Sequence, residues 1–341
     1  MLNSLKDAAA LEVGGERFLS ATHDEIRSGA TTDVYFINTR DVLASVGRLD
    51  VSVTAEVFAR KSGVFAGTGE VLELLKGRSL EIEALPEGEF FGSRETLLRV
   101  RGSYGDFGMY ETTILGFLSS SSGWATAARE CVTAAGGKPV LSFGARHVHP
   151  AVASVMDSVA VRFGGCAGAS SVLGAKLIGR EPSGTVPHAA VLIVGDTLSL
   201  ARAYDAALPG EVARIFLVDT FKDEAEETLR LAEALGEKLD AIRLDTPGER
   251  GGVTPELVRE VRYRLDAASF RHVKIVVSGG LTPERIAVLA EQGADVFGVG
   301  SFIAHAPPID MTMDIKEVEG RPLAKRGRLP GVLANSRLVR I

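Results

Sequence analysis

The sequence of 341 residues contains only two cysteines, Cys131 and Cys166, and this scarcity excludes several classes of protein. Two cysteines make neither a disulfide framework nor a zinc site, so we expect no zinc and a reducing, cytoplasmic environment. The first residues, MLNSLKDAAALEV, lack the basic end and apolar stretch of a signal peptide. The apolar run at residues 189–195 is interrupted by Asp196 and is too short to span a bilayer.

An excess of positive charge is also missing. Lysine and arginine number 38 against 44 aspartates and glutamates, which gives a net charge of −6. Because no basic field is present, we expect no nucleic acid and no membrane as partners. The one local exception is the basic segment at residues 324–328, for which we expect a solvated face, ahead of a contact with an anion.

A dinucleotide-binding fingerprint, G-x-G-x-x-G after a first strand, does not occur in the chain. From residue 139 onward, short apolar runs alternate with helix-like segments, and this alternation predicts βαβ units with a parallel sheet buried on both faces. The segments TPE at residues 254–256 and 282–284 each predict a helix start, with a threonine cap, a proline and an acid. The expected fold class is α/β, with an irregular, closed or nearly closed α/β barrel.

Residues 40–118 have a different pattern. Residues 51–57, VSVTAEV, alternate as a half-exposed strand does, and glycine and proline are dense across the segment. We therefore predict a β-rich α+β domain, similar to an open-faced sandwich, over residues 1–118. The barrel follows over residues 119–304, and residues 305–341 are expected to return to the first domain.

Two glycine turns end two successive predicted strands near residue 300. They are Ser278-Gly279-Gly280 and Gly298-Val299-Gly300-Ser301. In an α/β barrel, the loops after the last two strands often form a phosphate site, because glycine lets the backbone approach the phosphate and a helix start supplies N–H donors. The turns therefore predict a phosphorylated ligand held by Ser278, Gly279, Gly280, Gly298, Gly300 and Ser301.

Two aspartates, Asp219 and Asp245, follow predicted strands on the same face. Such aspartates often cap the next helix, and that structural role remains open. Carboxylates that face a phosphate need a cation or hydroxyl groups between them, so the pair also suits a phosphorylated sugar with Mg²⁺.

Several further side chains are expected at the same mouth. Phe143 and Arg146 end the first barrel strand, and a guanidinium can hold a carboxylate or a phosphate through two parallel hydrogen bonds. A second loop, SGTVPH, carries Thr185 and places His188 directly before an apolar helix. A histidine in that position is a candidate for chemistry.

With these motifs in this order, the chain resembles the nicotinate phosphoribosyltransferases, within the type II phosphoribosyltransferases that include the quinolinate and nicotinamide enzymes. The resemblance extends from about residue 25 to about residue 330 and rests on short segments. They are TDVYF at residues 32–36, YETTILG at 110–116, FGARHVHP at 143–150, GTVPH at 184–188, VDTF at 218–221 and the paired glycine turns.

The resemblance implies transfer of phosphoribosyl from phosphoribosyl pyrophosphate to nicotinate in NAD salvage, which yields nicotinate mononucleotide and pyrophosphate. It implies phosphorylation of His188 by ATP, a Mg²⁺ cofactor, and a homodimer or higher homo-oligomer with shared active sites. The pyridine ring would lie between Phe143 and Tyr35, the tyrosine coming from a neighbouring subunit. Arg146 would meet the nicotinate carboxylate or the pyrophosphate, with Thr185 nearby, and Asp219 and Asp245 would stabilise the transition state.

The sequence departs from this family at one position, because His147 stands where a second arginine is often found. Two alternatives remain open at this stage. Quinolinate phosphoribosyltransferase uses the same barrel but calls for a more basic pocket and needs no phosphorylatable histidine. A non-catalytic phosphate-binding barrel would be free to lose Asp219, Asp245, Arg146 and His188, and all four are present.

Overall fold

The computed structural model describes residues 1–341. Up to residue 134, the elements are α1 (Leu5–Ala9), α2 (His23–Ser28), α3 (Val34–Ser45), β1 (Ser52–Ala59), β2 (Gly63–Val64), α4 (Thr68–Leu75), β3 (Glu81–Ala84), β4 (Phe90–Phe91), β5 (Thr96–Ser103), α5 (Tyr104–Phe107) and α6 (Glu111–Ala134).

The remaining elements are β6 (Val140–Ser142), α7 (Pro150–Arg162), β7 (Gly168–Ala169), α8 (Val172–Leu177), α9 (His188–Val194), α10 (Thr197–Ala207), β8 (Ile215–Leu217), α11 (Glu224–Leu235), β9 (Ala241–Leu244), α12 (Pro255–Ala267), β10 (Lys274–Ser278), α13 (Pro283–Glu291), β11 (Val296–Val299), α14 (Ser301–Ala304), β12 (Met311–Val318), β13 (Arg321–Pro322) and β14 (Val339–Arg340).

The chain divides into two compact units, one of residues 1–126 with 307–341 and the other of residues 127–306. Helix α6 contributes to both units. The boundaries expected after residues 118 and 304 lie within α6 and at the end of α14.

The first unit is built on a six-stranded antiparallel sheet in the order β13-β12-β1-β5-β3-β14. Strand β12 pairs with β1 from Val53↔Val318 to Ala59↔Met311. A cluster of buried aromatic side chains packs on this sheet together with aliphatic ones, and it includes Phe65, Phe91, Phe107 and Tyr110. Three of the six strands, β12, β13 and β14, therefore come from a segment more than two hundred residues away in sequence from the other three.

Strand β1 was expected to be half-exposed, and this expectation is wrong. Glu56, on its polar face, is only 1% exposed. Arg99 Nε donates to Glu56 Oε1 over 3.0 Å, and the backbone N–H of Leu333 donates to the same oxygen over 3.2 Å. The chain after β13 thus covers the polar face, and the buried carboxylate is tolerated because a guanidinium and a peptide group compensate its charge.

The basic segment at residues 324–328 is only partly a solvated face. Lys325 Nζ lies 3.0 Å from Asp314 Oδ1, and Arg328 Nε donates to Asp314 Oδ2 over 2.7 Å. Asp314 is buried, and the Arg328 guanidinium lies 5.1 Å from the centre of the Phe58 ring. Two of the basic side chains therefore attach the C-terminal segment to the sheet, which the charge pattern did not indicate.

The second unit has the predicted parallel sheet, with six strands in the order β7-β6-β11-β10-β9-β8. No hydrogen-bonded ladder joins β7 to β8, and the chain between them forms α8, α9 and α10 instead of a strand. The prediction of a mixed α/β fold with an irregular, barrel-like parallel unit is confirmed.

Buried strands and capped helices explain how this unit presents its residues. Strands β8 to β11 are apolar because both of their faces are covered, and Phe216, Ile242, Val277 and Phe297 are each almost fully buried. Thr282 accepts a hydrogen bond from the backbone N–H of Arg285 at the start of α13, as the TPE segment predicts. Because parallel strands all end at the same edge, the loops after β6, β8, β9, β10 and β11 meet there.

None of the helices combines the length and the apolar composition that a membrane-spanning segment requires.

Candidate active site

The edge at which the parallel strands end gathers most of the predicted site residues of the second unit. Asp245 directly follows β9, Asp219 follows β8 after one further residue, and Ser278 is the last residue of β10. The backbone N–H of Asp245 donates to Asp219 Oδ2 over 3.2 Å, and Ser278 Oγ donates to Asp245 Oδ1 over 2.9 Å. The two aspartates and the serine thus form one hydrogen-bonded group, and neither aspartate caps the helix that follows it.

Arg243 lies at the centre of this group, and it was not among the predicted site residues. Its guanidinium donates to Ser278 Oγ over 2.7 Å, to Thr185 Oγ1 over 2.8 Å and to Asp245 Oδ2 over 3.1 Å. It also lies 5.5 Å from the centre of the Phe143 ring. Burial lowers the pKa of this guanidinium from its usual value, although Asp245 and Asp219 oppose the shift.

A signal for Arg243 was present in the sequence. It interrupts an otherwise apolar buried strand, and it precedes Asp245 by two residues. Side chains two apart on a strand share a face, so Arg243 and Asp245 had to point the same way.

His188 is the first residue of α9 and faces both carboxylates. Its Nε2 lies 3.8 Å from Asp219 Oδ1 and 3.8 Å from Asp245 Oδ2. Its Nδ1 is hydrogen-bonded to Thr220 Oγ1 at 2.9 Å. When Nδ1 carries the proton and donates a hydrogen bond to the threonine, Nε2 keeps a free lone pair on the side of the two acids. Thr220 belongs to the VDTF segment, but its contact with His188 was not expected.

Asp219 combines burial with an unused hydrogen-bonding atom. Its side chain is 1% exposed, and Oδ1 has no hydrogen-bond partner. Burial raises the pKa of Asp219, and nearby His188 opposes the shift. A buried acceptor without a partner is costly, so this oxygen is suited to a hydroxyl group or a cation that a ligand brings.

The first glycine turn has the backbone geometry of an anion site. Gly279 and Gly280 have φ values of 89° and 57°, a region that L-residues with a side chain rarely adopt. The backbone N–H groups of Gly279, Gly280 and Leu281 donate no hydrogen bond within the chain. They lie directly before α13, whose nine residues place the positive end of the helix dipole there.

The second turn is shorter than predicted, because strand β11 continues through Val299. Gly298 pairs in register with Ser278 and Leu141, and the Phe143 ring fills the space beside it. Of the three residues predicted from this second turn, only Gly300 and Ser301 lie beyond the end of the strand. The bulk of Phe143 explains the glycine at position 298 through packing.

The short 3-10 helix after Phe143 carries an arginine and a histidine. Arg146 lies in the short 3-10 helix Ala145–His147, is exposed, and makes no hydrogen bond or ion pair within the chain. The rings of His147 and His305 lie edge to face with centres 5.4 Å apart. Burial lowers the pKa of His147, and Arg146 and His305 act in the same direction.

Tyr35 belongs to the first unit, in the first turn of α3. Its side chain is 55% exposed, and its ring centre lies 4.2 Å from that of Phe36. Its participation in the site stays a prediction.

No group of three or more His, Cys, Asp or Glu side chains is arranged to hold a metal ion by itself. Asp219 and Asp245 nevertheless supply hard carboxylate oxygens side by side, one of them without a partner. Mg²⁺ is commonly bound through one or two carboxylates together with substrate phosphates, and these two residues fit that pattern.

Comparisons with known proteins agree with this geometry. The family model described as quinolinate phosphoribosyl transferase, N-terminal domain, matches residues 33–122. The model of the C-terminal domain of the same family matches residues 124–314.

Individual relatives carry two different names. The crystal structure of nicotinate-nucleotide pyrophosphorylase from Pyrococcus furiosus has 47% identity and a TM-score of 0.88, covering 93% of this chain and 82% of that one. A nicotinate phosphoribosyltransferase of Mycobacterium tuberculosis is 29% identical, over 88% of this chain and 75% of its own length. A Methanothermobacter thermautotrophicus protein named probable nicotinate-nucleotide pyrophosphorylase (carboxylating) is 26% identical, over 86% and 98%.

Proposed function

The chain belongs to the quinolinate phosphoribosyltransferase family, that is, to the type II phosphoribosyltransferases, and within that family we propose that it transfers phosphoribosyl from phosphoribosyl pyrophosphate to nicotinate. The products are nicotinate mononucleotide and pyrophosphate, and the reaction belongs to NAD synthesis. The observation that carries this choice is the position of His188, whose Nε2 lies 3.8 Å from the carboxylates of both Asp219 and Asp245.

The donor's 5′-phosphate is assigned to the turn before α13. Three consecutive N–H groups there have no partner within the chain, and two of them belong to glycines, whose backbone a phosphate can approach closely. The ribose then lies toward Asp245 and Asp219, where the unpaired Asp219 Oδ1 accepts a hydroxyl hydrogen bond.

The chemistry of the transfer needs charge stabilisation more than proton transfer. As the bond to pyrophosphate breaks, positive charge develops on the anomeric carbon, and fixed carboxylates stabilise it. The pyridine nitrogen attacks that carbon with its own lone pair, so no general base is required. Holding donor and acceptor in line supplies much of the remaining acceleration.

The acceptor is assigned to the face of Phe143. The ring is fixed against Gly298, and the guanidinium of Arg243 lies beside it. Arg146, which has no partner within the chain, is available to the nicotinate carboxylate or to the departing pyrophosphate. Because Thr185 Oγ1 accepts a hydrogen bond from Arg243, it fixes the direction of that guanidinium.

ATP coupling is assigned to His188. In the proposed step, Nε2 attacks the terminal phosphorus of ATP, an N–P bond forms, the bond to the bridging oxygen breaks, and ADP leaves. The step uses the tautomer in which Nδ1 donates to Thr220 and Nε2 carries the lone pair, and the carboxylates of Asp219 and Asp245 stabilise the positive ring after the attack. Water later attacks the phosphorus, the N–P bond breaks, and inorganic phosphate leaves with the imidazole restored.

Mg²⁺ is proposed as the cofactor of the same site, held by Asp219 and Asp245. When bound, the ion neutralises part of the negative charge of the pyrophosphate group. The two carboxylates position the donor. Without the ion they do so more weakly, because the carboxylates repel the phosphates of the donor.

A second copy of the chain is proposed to complete the site with Tyr35. Tyr35 and its neighbours on α3, Val34 and Val42, are 55%, 56% and 61% exposed, which is unusual for three large apolar side chains on one short helix. A homodimer that covers them brings the tyrosine ring to the acceptor of the other copy.

The quinolinate reaction is a second candidate, and the comparisons favour it. The Pyrococcus furiosus protein, at 47% identity, and the Methanothermobacter thermautotrophicus protein share the name nicotinate-nucleotide pyrophosphorylase. The Methanothermobacter name adds carboxylation, which only the quinolinate reaction includes, in reverse. Against it stands the charge of the site, because the Arg243 guanidinium is already paired with Asp245, and a substrate with two carboxylates calls for a further positive group besides Arg146.

The deciding experiment gives the protein phosphoribosyl pyrophosphate and Mg²⁺ with either nicotinate or quinolinate, with and without ATP. Release of pyrophosphate with nicotinate, increased by ATP, supports the proposal. Release of carbon dioxide with quinolinate, independent of ATP, replaces it with the second candidate. Absence of pyrophosphate with both acceptors indicates a phosphate-binding barrel without catalysis.

A further inference from the structure

Arg285 joins the two loops that flank the proposed donor site. It lies in the first turn of α13 and is half-buried. Its Nη2 donates to the carbonyl oxygen of Val253 over 3.1 Å, and its Nη1 lies 3.4 Å from the carbonyl oxygen of Gly280. The guanidinium thus holds one carbonyl from the loop after β9 and one from the turn after β10.

The electrostatic position of Arg285 is unfavourable without a ligand. A cation in the first turn of a helix faces the positive end of the helix dipole. The adjacent acid, Glu284, bonds to Thr282, and its pKa is lowered chiefly by that contact. Arg285 forms no ion pair with any carboxylate of the chain, and its guanidinium contacts only the carbonyls of Val253 and Gly280.

The contact with Gly280 also fixes the direction of a donor. The carbonyl of Gly280 and the N–H of Leu281 belong to one trans peptide unit, and in such a unit they point in opposite directions. Because Arg285 attracts the carbonyl, the N–H of Leu281 must point away from the guanidinium. That N–H is one of the three that donate no hydrogen bond within the chain.

The contact with Val253 ties the turn to the segment that carries Asp245. The loop of residues 246–253 begins directly after Asp245, where Thr246 Oγ1 donates to the buried carboxylate of Glu224 over 2.8 Å. It ends at Val253, where Arg285 donates to it. Both ends of this loop are therefore fixed, and the second fixing point is shared with the glycine turn.

We propose that Arg285 is a positioning residue for the donor's phosphate. It holds the glycine turn so that the N–H of Leu281 points away from the guanidinium, and it keeps the turn at a fixed position relative to Asp245. The proposal rests on the function proposed above. Its effect depends on the forked, planar guanidinium, because two carbonyls on different loops must be reached from one side chain. A lysine keeps the charge but offers a single ammonium, so it separates positioning from simple attraction of an anion.

The test compares wild type with Arg285→Lys and Arg285→Ala, with Arg259→Lys, exposed on α12, as the matched control. Binding of ribose 5-phosphate to the intact protein is measured by calorimetry, and the Michaelis constants of phosphoribosyl pyrophosphate and of the acceptor are measured separately. Thermal unfolding of each variant shows whether it is folded at the assay temperature.

We expect Arg285→Lys to weaken ribose 5-phosphate binding about tenfold, as the loss of one charge-assisted hydrogen bond network implies, while the acceptor's Michaelis constant stays within about twofold. Arg285→Ala should weaken binding further, and Arg259→Lys should match wild type. Unchanged binding in Arg285→Lys overturns the positioning role, as does an equal rise in both Michaelis constants. If wild type itself does not bind ribose 5-phosphate, the proposed function fails first, and the role of Arg285 fails with it.

Discussion

The ring of Phe143 occupies the space that a side chain at Gly298 would need: a Cβ atom there would lie 2.5 Å from two of the ring carbons. The glycine is therefore required by a residue that directly follows β6, the strand paired with β11 at this level. This relationship links a glycine that was predicted to hold phosphate to the surface proposed for the pyridine ring.

The substitution Gly298→Ala should push the Phe143 ring out of its position. We expect kcat/KM for the acceptor to fall by about one to two orders of magnitude, since small misplacements of a binding group cost that much. The Michaelis constant for phosphoribosyl pyrophosphate should change far less. Steady-state kinetics with each substrate varied in turn give the answer, with Gly210→Ala as the control because its Cβ would meet no atom within 4 Å. An effect on the donor alone would return Gly298 to the phosphate site.

The substitution Gly280→Val should act on the donor. Its φ of 57° is strained for a β-branched residue, and the added side chain would block the approach of a phosphate to the backbone. We expect the Michaelis constant of phosphoribosyl pyrophosphate to rise about tenfold or more, with the acceptor's constant little changed. Normal donor kinetics in a folded Gly280→Val protein would place the phosphate elsewhere.

The substitution His188→Ala should abolish stimulation by ATP and leave slow, ATP-independent transfer. The substitution Thr220→Val is the companion variant, because it removes the hydrogen bond to Nδ1 and leaves the imidazole in place. It should reduce the stimulation without abolishing it. Acid-labile incorporation of the terminal phosphate of labelled ATP measures the proposed intermediate directly. Full ATP stimulation of His188→Ala would remove the residue from this role.

The substitution Asp219→Asn should lower kcat by about two to three orders of magnitude, because it removes a fixed negative charge near the developing cation. Burial raises the pKa of Asp219, and the ionised carboxylate is the active form. In wild type, the rate should therefore fall as the pH falls through a value above that of an ordinary aspartate. The acidic limb of the pH profile should disappear in Asp219→Asn. An identical acidic limb in both proteins would assign that titration to another group.

The substitution Tyr35→Ala should weaken nicotinate binding by about 1 kcal/mol if the ring stacks on the pyridine. Tyr35→Phe is the control, since it keeps the ring. Because the tyrosine is proposed to come from the second copy, mixing Tyr35→Ala with the much less active Asp219→Asn protein should restore one complete site in each mixed dimer. No recovery of activity on mixing, with exchange of subunits demonstrated, would contradict the shared site.

Local sequence chemistry was sufficient for the elements that carry the site. The threonine, proline and acid of residues 282–284 start a helix wherever they occur, because the hydroxyl caps a free N–H and proline is already in a helical conformation. Gly279 and Gly280 mark a turn because other residues avoid positive φ. The local pattern of apolar runs and helix starts likewise placed Asp219, Asp245 and His188 at strand or helix ends. Parallel strands bring those ends together.

What the sequence alone determined is therefore the parallel sheet, its edge and the residue types that meet there. Only the tertiary structure decided that Arg243 bonds to Ser278, 35 residues away, and to Thr185, 58 residues away, or that Leu333 covers Glu56 across 277 residues. The physical reason is one of range: caps, turns and strand ends are fixed by neighbouring residues, whereas a guanidinium's partners depend on which distant loops the folded sheet brings within 3 Å of it.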